Sequence, residues 1–249
     1  MKRPIFAANW KMNHGPTDAR EFMRAFLAHY PRQHDRTVLF FPPALTLHAV
    51  AEAAHDRPDL VLGVQNIHWE DKGAFTGELS ASIARDAGAR VVLVGHSERR
   101  HVFGETDEQS GKKCASAVRA GLVPMLCVGE TLDQREHGQT EAAVLRQLRA
   151  GIAALAPAQV GHMLVAYEPV WAIGTGKTAT PDDAAAVHAV IRGALRVIVG
   201  DEATAVPLLY GGSVNRANAQ QLLAAPEVDG LLVGGASLDA SGWAAIARA

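Results

Sequence analysis

The sequence predicts an α/β fold, a single (β/α)8 barrel in which eight parallel strands alternate with helices. Short apolar runs alternate along the chain with longer, alanine-rich amphipathic segments. The apolar runs are hydrophobic almost throughout, as expected for parallel strands that are buried on both faces. The chain has 249 residues, and barrels of this kind commonly occupy such a length as one domain. We therefore expect one domain over residues 1–249.

The predicted strands are short runs rich in valine, isoleucine, leucine and aromatic residues, which favour strand structure. A longer segment with helical spacing follows each run, and a barrel requires this repeat of strand and helix. In chain order, the predicted strands are Ile5–Ala8, Val38–Phe41, Val61–Val64, Val91–Val94, Val123–Val128, Met163–Tyr167, Leu208–Tyr210 and Gly230–Val233.

Two helices have recognisable start signals. Asp18 followed by Glu21 resembles a capping box at the start of the first helix. Thr180 precedes Pro181, which predicts an N-cap with proline at the first helical position of a helix that runs to about Val199. Both signals place a helix between two successive predicted strands.

Gly88 and Gly121 lie where two further helices should end. No low-complexity linker interrupts the series of strand and helix units. The alternative architecture is a doubly wound open sheet, which needs a glycine-rich phosphate loop after its first strand. No such loop follows Ile5–Ala8, so the barrel is favoured.

The composition argues against several classes of function. The net charge is −2, with basic residues interspersed among acidic ones, so we expect no nucleic-acid-binding face and no membrane-surface helix. No apolar run approaches the roughly 18 residues that span a bilayer, and we see no signal-peptide core. Cys114 and Cys127 have no CxxC partner, and the 11 histidines show no ligand spacing. We expect a cytoplasmic protein with reduced cysteines and no metal.

Polar residues that follow the predicted strands are the candidates for function, because active sites of such barrels lie at the carboxyl ends of the strands. A lone lysine is usually solvated, a lone histidine usually packs, and paired glycines usually make turns. Those explanations do not account for the convergence of all of them on one end of one barrel. The candidates are Asn9, Lys11, His96, Glu168, Ser213, Gly234 and Gly235.

These residue types suit one chemistry. The backbone N–H groups of glycine-rich turns bind anions well, and YGGSV and VGGAS follow strands 7 and 8, the usual phosphate corner of such barrels. A lysine near a carboxylate base and a histidine can stabilise a developing oxyanion. The pattern predicts proton transfer next to a carbonyl, on a small phosphorylated substrate.

Seven motifs follow one another between residues 7 and 238. They are AANWKMN, QNIHWEDKGAFTGELS, GHSERR, CVGE, AYEPVWAIGTGKTAT, YGGSV and LLVGGASL. Together and in this order they resemble the triosephosphate isomerase family. The resemblance implies interconversion of D-glyceraldehyde 3-phosphate and dihydroxyacetone phosphate, a step of glycolysis and gluconeogenesis. A single carboxylate can move one proton both ways through the shared enediolate, so no cofactor is expected.

The resemblance also implies a role for each candidate. Glu168 would be the base that moves the proton, and His96 a neutral electrophile that polarises the carbonyl. Lys11 would hold the substrate electrostatically, with Glu98 beside it, and Asn9 would donate toward the substrate oxygens. The phosphate would be held by the amides of Gly174, Ser213, Gly234 and Gly235.

Two loops receive roles from the same resemblance. Residues 169–177 would form a lid that closes over the phosphate and excludes water. The loop of residues 65–80 is long, polar and aromatic, with no group suited to this chemistry. It would dock into a twin subunit, with Thr76 reaching the neighbour's active site, so we expect a homodimer.

Two alternatives remain at this point. The first is another phosphosugar enzyme on the same fold, for example an aldolase or a different aldose–ketose isomerase. An imine-forming aldolase needs a lysine inside the barrel, whereas Lys11 lies past the end of strand 1. A catalytically silent dimeric barrel that acts as a binding module is the alternative of another class. It is disfavoured because it has no reason to keep Asn9, Lys11, His96 and Glu168 together.

Overall fold

A closed barrel of parallel strands forms the centre of the computed structural model, which describes residues 1–173 and 178–249. The strands pair in chain order, and β1 pairs with β8 to close the barrel. The strands are β1 Ile5–Asn9, β2 Thr37–Phe41, β3 Leu60–Val64, β4 Val91–Val94, β5 Val123–Val128, β6 Leu164–Tyr167, β7 Leu208–Tyr210 and β8 Gly230–Val233. The predicted fold class is confirmed.

Helices lie between successive strands and cover the outside of the barrel. Within residues 1–173 and 178–249 no helix is long and apolar enough to cross a membrane. The α-helices are α1 Pro16–His29, α2 Leu47–Ala53, α3 Ala81–Asp86, α4 Ser97–His101, α5 Asp107–Arg119, α6 Leu132–Glu136, α7 Thr140–Ile152, α8 Pro157–Val160, α9 Pro181–Val199, α10 Ala219–Leu223 and α11 Ala240–Ile246. Short 3-10 turns cover Ala44–Thr46, Val170–Ala172, Gly200–Ala205 and Gly235–Ser237.

Most predicted boundaries agree with the structure. The predicted strands begin and end within one residue of the observed ones. Thr180 is the N-cap of α9, and its hydroxyl accepts from the N–H of Asp183 at 3.1 Å. Gly88 and Gly121 follow α3 and α5 with φ values of 100° and 75°, a left-handed conformation that glycine adopts without strain.

The predicted start of the first helix is wrong. α1 begins at Pro16 with Gly15 as its N-cap, so Asp18 lies within the first turn. The carboxylate of Asp18 accepts from the N–H of Gly15 at 3.3 Å. Proline at the first helical position lacks only an N–H that would have no helical partner there, and its fixed φ suits the helix. Pro16 therefore sets the start, and Asp18 supplies the returning carboxylate of the cap.

The alternation of side chains along each strand separates two apolar cores. In β1, Ile5 and Ala7 point into the barrel, while Phe6 packs outward against the helices. The interior core consists of Ile5, Ala7, Leu39, Phe41, Val91, Leu93, Met125, Cys127, Leu164, Ala166, Leu209 and Leu232. Asn9 lies two residues after the inward-facing Ala7, and Glu168 lies two residues after the inward-facing Ala166. The same alternation therefore puts both on the inner side of the barrel, at its carboxyl end.

Candidate active site

The carboxyl end of the barrel opens into a cavity of about 260 Å³. The predicted site residues that the structure describes all line this cavity: Asn9, Lys11, His96, Glu168, Ser213, Gly234 and Gly235. Gly174, the remaining predicted site residue, lies outside the described residues. The fold thus brings together side chains that are far apart in the sequence.

Glu168 lies directly after β6 and is only 2% exposed. Its carboxylate accepts hydrogen bonds from the N–H of Ser97 at 2.9 Å and from the Ser97 hydroxyl at 3.3 Å. Burial raises the pKa of Glu168, but His96 and the Ser97 N–H lower it more, and the pKa lies below the usual value for glutamate. The carboxylate is therefore ionised at neutral pH, as a base must be. Sequence reasoning missed Ser97, although it is part of the GHSERR motif.

His96 is the N-cap of α4 and is buried. Its Nδ1 accepts from the N–H of Glu98 at 3.3 Å, so we assign the proton of the neutral ring to Nε2. Nε2 lies 3.0 Å from the Oε1 of Glu168 and 3.1 Å from the Nδ2 of Asn9. Burial lowers the pKa of His96, but the nearby Glu168 carboxylate raises it above the usual histidine value. This increase depends on Glu168 remaining beside the ring.

Lys11 lies past the end of β1 with a φ of 52°, an uncommon conformation for a residue with a side chain. Its N–H donates to the Oδ1 of Asn9 at 3.0 Å, and its Nζ lies 2.6 Å from the Oε1 of Glu98. A β-carbon at Gly234 would come within 3.1 Å of the Lys11 Cε. The ammonium group is thus held at the edge of the cavity, between the carboxylate of Glu98 and a glycine turn.

The glycine turn after β7 lies on the same cavity and contacts Glu168. A β-carbon at Gly211 would come within 2.9 Å of the Cγ of Glu168, and one at Gly212 would collide with the Tyr210 hydroxyl. Ser213 follows, and its carbonyl accepts from the Nδ2 of Asn218 at 3.0 Å. The glycines therefore leave room for the Glu168 side chain beside the turn that carries Ser213.

Glu130, after β5, is a further residue to which the sequence analysis assigned no role. It is completely buried, and its Oε1 accepts from the Tyr167 hydroxyl at 3.0 Å and the Trp171 Nε1 at 2.8 Å. Its position in the CVGE motif, directly after a buried strand, is the signal that could have identified it. Glu130 thus anchors the first residues of the predicted lid. Residues 174–177 of that lid lie outside the described part of the chain.

Comparisons with known proteins agree on one family. Residues 4–249 match the family described as "Triosephosphate isomerase". A triosephosphate isomerase of Roseiflexus sp. is 48% identical over 98% of this chain and 96% of the relative. One of Moorella thermoacetica is 48% identical over 99% of this chain and 98% of the relative. The crystal structure of the Bartonella henselae triosephosphate isomerase superposes with a TM-score of 0.88 and 39% identity, over 98% and 97% of the two chains. This chain belongs to the triosephosphate isomerase family.

Proposed function

We propose that Glu168 and His96 carry out the reaction of this chain, the interconversion of D-glyceraldehyde 3-phosphate and dihydroxyacetone phosphate. The names of the relatives support this reaction. The observation that carries the proposal is the 3.0 Å distance between the His96 Nε2 and the Glu168 Oε1. Both groups lie on the cavity that also contains Lys11, so a base, a proton donor and a cation face one small space.

In the first step, the Glu168 carboxylate takes a proton from the carbon next to the carbonyl. The electron pair of the broken C–H bond forms the double bond of the enediolate, and the carbonyl oxygen gains the negative charge. The Nε2–H of His96 donates to that oxygen, and Lys11 stabilises the charge. His96 then gives its Nε2 proton to that oxygen and takes the proton of the neighbouring hydroxyl. Glu168 returns its proton to the original carbonyl carbon, and the oxygen that lost its proton becomes the new carbonyl. Atoms and electrons balance without an oxidant, a reductant or a second substrate.

The state of His96 changes when Glu168 turns from the ring toward the substrate. Among the groups that raise the pKa of His96, Glu168 has the largest effect. Without it, burial, which lowers the pKa of His96 most, acts together with the Lys11 charge and the hydrogen bond from the Glu98 N–H to favour the uncharged imidazole, against the smaller opposing effect of the Glu98 carboxylate. A neutral ring is the better partner for an enediolate, because it can donate one proton and recover it from the second oxygen.

The glycine turns are proposed to hold the phosphate. Ser213, Gly234 and Gly235 line the cavity. Within residues 1–173 and 178–249, no heavy atom beyond the chain neighbours of Gly235 lies within 4 Å of a β-carbon built there. An anionic group can therefore approach the backbone of Gly235 closely. Gly174 completes the proposed phosphate site on the basis of the sequence pattern alone.

A homodimer is proposed because large apolar side chains that follow β1, β2 and α4 are exposed. Met12 is 95% exposed, Leu45 89% and Phe103 67%. Met12 and Phe103 both line the cavity beside Lys11, and apolar side chains exposed together usually mark an interface. The 65–80 loop is the proposed contact, and it is ordered by its own rings, since His68 lies 4.2 Å from Trp69 and 4.3 Å from Phe75 between ring centroids.

A second cavity, of about 230 Å³, is the proposed seat of the partner's loop. Lys11, Glu98 and Phe103 are among the residues that line it. Thr76 of a second copy, seated there, would exclude water from the ion pair between Lys11 and Glu98. Exclusion of water strengthens that pair and fixes the lysine, so each active site would depend on the partner.

We also propose that residues 1–249 form one domain and that the protein acts in the cytoplasm. The pairing of β1 with β8 ties the two ends of the chain into one barrel. Cys114 and Cys127 are both buried and free, as suits a reducing compartment. Two separate unfolding transitions in calorimetry would contradict the single domain, and fractionation that recovers the protein outside the cytoplasm would contradict the location.

The assay that tests the reaction compares glyceraldehyde 3-phosphate with a panel of longer phosphorylated aldoses, each coupled to detection of its ketose product. We expect turnover of the three-carbon substrate alone, because the cavity is small and closed at its base by the barrel core. A folded dimer without activity on any substrate would support the binding-module alternative. Equal activity on a longer aldose would contradict the proposed substrate.

A further inference from the structure

Gln147 on α7 makes two hydrogen bonds to a single residue of the barrel. Its Oε1 accepts from the N–H of Gly129 at 2.7 Å, and its Nε2 donates to the carbonyl of Gly129 at 3.0 Å. The side chain is buried, with 4% of the residue exposed. A carboxamide is suited to this task because it carries one acceptor and one donor side by side. Gln147 therefore holds both backbone groups of the residue that follows β5.

Gly129 in turn lies against the backbone of the base. The N–H of Glu168 donates to the carbonyl of Val128 at 2.8 Å. A β-carbon at Gly129 would overlap the carbonyl of Glu168, so only glycine permits this approach. The height and tilt of the Gly129 peptide therefore set the position of the Glu168 main chain.

The residue after Gly129 continues this support. The carbonyl of Glu130 accepts from the N–H of Val170 at 3.1 Å, and its side chain accepts from Trp171. The short segment from Val128 to Glu130 thus contacts Glu168 and the first two residues of the 3-10 turn Val170–Ala172. A shift of this segment would move all of them together.

Close packing fixes the helix that carries Gln147. A β-carbon at Gly151, one turn further along α7, would collide with the side chain of Leu126 on β5. A β-carbon at Gly111 of α5 would lie 2.5 Å from the carbonyl of Ala150 on α7. The two glycines let α7 lie close to both neighbours, and this closeness gives Gln147 a fixed distance to Gly129.

We propose that Gln147 is a positioning residue for the isomerisation, acting on Glu168 through the Gly129 peptide. The inference rests on the proposed function, in which Glu168 is the base. Loss of the side-chain amide leaves two buried backbone groups unpaired, and the strand end must shift to reach other partners. A displacement of about 1 Å at a reacting group can cost on the order of 100-fold in rate.

The first test replaces Gln147 with methionine, which has a similar length and forms neither hydrogen bond. We expect kcat to fall by about 10-fold to 100-fold, with KM within about twofold of the parent value, at a temperature where the protein is fully folded. The matched control is Thr37→Val, which removes a hydrogen bond of 2.9 Å to the Lys2 carbonyl at the opposite end of the barrel. It should lower the melting temperature and leave kcat unchanged.

The second test uses Gln147→Glu and the pH profile of kcat. When protonated, the introduced carboxyl has the same donor and acceptor as the amide and should restore the parent geometry. When ionised, it loses its donor and faces the carbonyl of Gly129 with negative charge. We expect kcat close to the parent value at low pH and a fall as pH rises through the pKa of the introduced group. A residue that only stabilises the fold would not impose this profile on kcat.

Parallel measurement of Glu168→Gln separates the inference from the proposed function. If this variant is inactive while both Gln147 variants keep the parent kcat, Gln147 only stabilises the fold and the inference is wrong. If Glu168→Gln keeps the parent kcat, the proposed function itself fails. Should Gln147→Met not fold, the pH profile of Gln147→Glu decides alone, and a profile that matches the parent overturns the inference.

Discussion

The Nε2 of His96 lies 3.0 Å from the Oε1 of Glu168, although the two residues follow different, non-adjacent strands, β4 and β6. Gly129, after the intervening β5, lacks the side chain that would displace the Glu168 main chain. The contact joins a proton donor to a carboxylate whose pKa is lowered. A reaction that moves one proton along a carbon pair and another between two oxygens needs both groups this close.

The length of the Glu168 side chain should be critical. Glu168→Asp retracts the carboxylate by about 1 Å or more, enough to cost on the order of 100-fold in turnover while the fold persists. Steady-state kinetics with glyceraldehyde 3-phosphate measures the effect. Glu141→Asp, on the exposed surface of α7, is the matched control and should keep parent kinetics. Near-parent turnover in Glu168→Asp would mean that another group is the base.

The 65–80 loop should be required for assembly. Thr76→Arg brings a further positive charge and a longer side chain into the proposed partner cavity, which Lys11 and Arg99 already line, so we expect a monomer with little activity. Light scattering gives the mass, and the coupled assay gives the activity. Gln220→Arg on the exposed side of α10 makes the same charge change away from the loop and should leave the dimer intact. A Thr76→Arg monomer with full activity, or an unchanged dimer, would refute the proposed interface.

Deletion of Ile173 to Gly176 should allow the enediolate to escape into water, and should affect this retention more strongly than the rate of proton removal by Glu168. The enediolate can expel its phosphate once water reaches it, giving methylglyoxal. We expect more methylglyoxal and inorganic phosphate per isomerisation turnover in the deletion variant. Glu168→Asp is the control, because it slows proton transfer and keeps the whole segment. An unchanged product ratio in the deletion variant would show that these residues only connect the strand to α9.

Acid should destabilise the protein in part through His188. This residue is fully buried in α9; burial lowers its pKa to about 4, while its Nδ1 pairs with the Glu227 carbonyl at 2.8 Å. Among the described residues its Nε2 has no hydrogen-bond partner, so a proton there would be buried and unpaired. Below a pH of about 6.5, His188 binds a proton in the unfolded chain but not in the folded chain. The stability of the fold therefore decreases as pH falls, until pH reaches the pKa of His188 in the folded chain.

The magnitude follows from that shift. The pKa of His188 drops from 6.5 to about 4, which corresponds to a loss of roughly 3 kcal/mol between pH 7 and pH 4. Urea unfolding at several pH values measures it in the parent and in His188→Gln, which keeps a donor for Glu227 and does not titrate. The parent should lose more stability than the variant over this range. Equal losses would assign the acid sensitivity to other groups.

The strands were predictable because burial on both faces leaves few polar residues in them, as in Val91–Val94. Thr180 was predictable because the cap and the proline are local signals. The predicted start of the first helix is too late because Gly15, the actual N-cap, has no side chain that would signal a cap. The carboxylate of Asp18 does resemble such a signal, although Asp18 lies inside the helix. Errors of this kind arise where backbone conformation, rather than side-chain chemistry, decides an element's start.

The site was predictable where the fold rule is simple: polar residues after parallel strands meet at one end. Asn9 and Glu168 follow from that rule and from the alternation along the strand. Gln147 does not, because its contact with Gly129 depends on how closely α7 approaches β5. That approach is set by Gly151 and Leu126, a packing detail that strand and helix patterns do not contain.

Exchange of substrate hydrogen with solvent is the measurement that tests the role of Glu168 most directly. Dihydroxyacetone phosphate is incubated in deuterated water with parent protein or Glu168→Gln, and deuterium at the reacting carbons is followed by NMR. Circular dichroism and light scattering first establish that both proteins are folded and have the same mass. We expect rapid incorporation with the parent and a rate lower by at least about 100-fold with the variant. Incorporation at the parent rate in Glu168→Gln would contradict the assignment of Glu168 as the base.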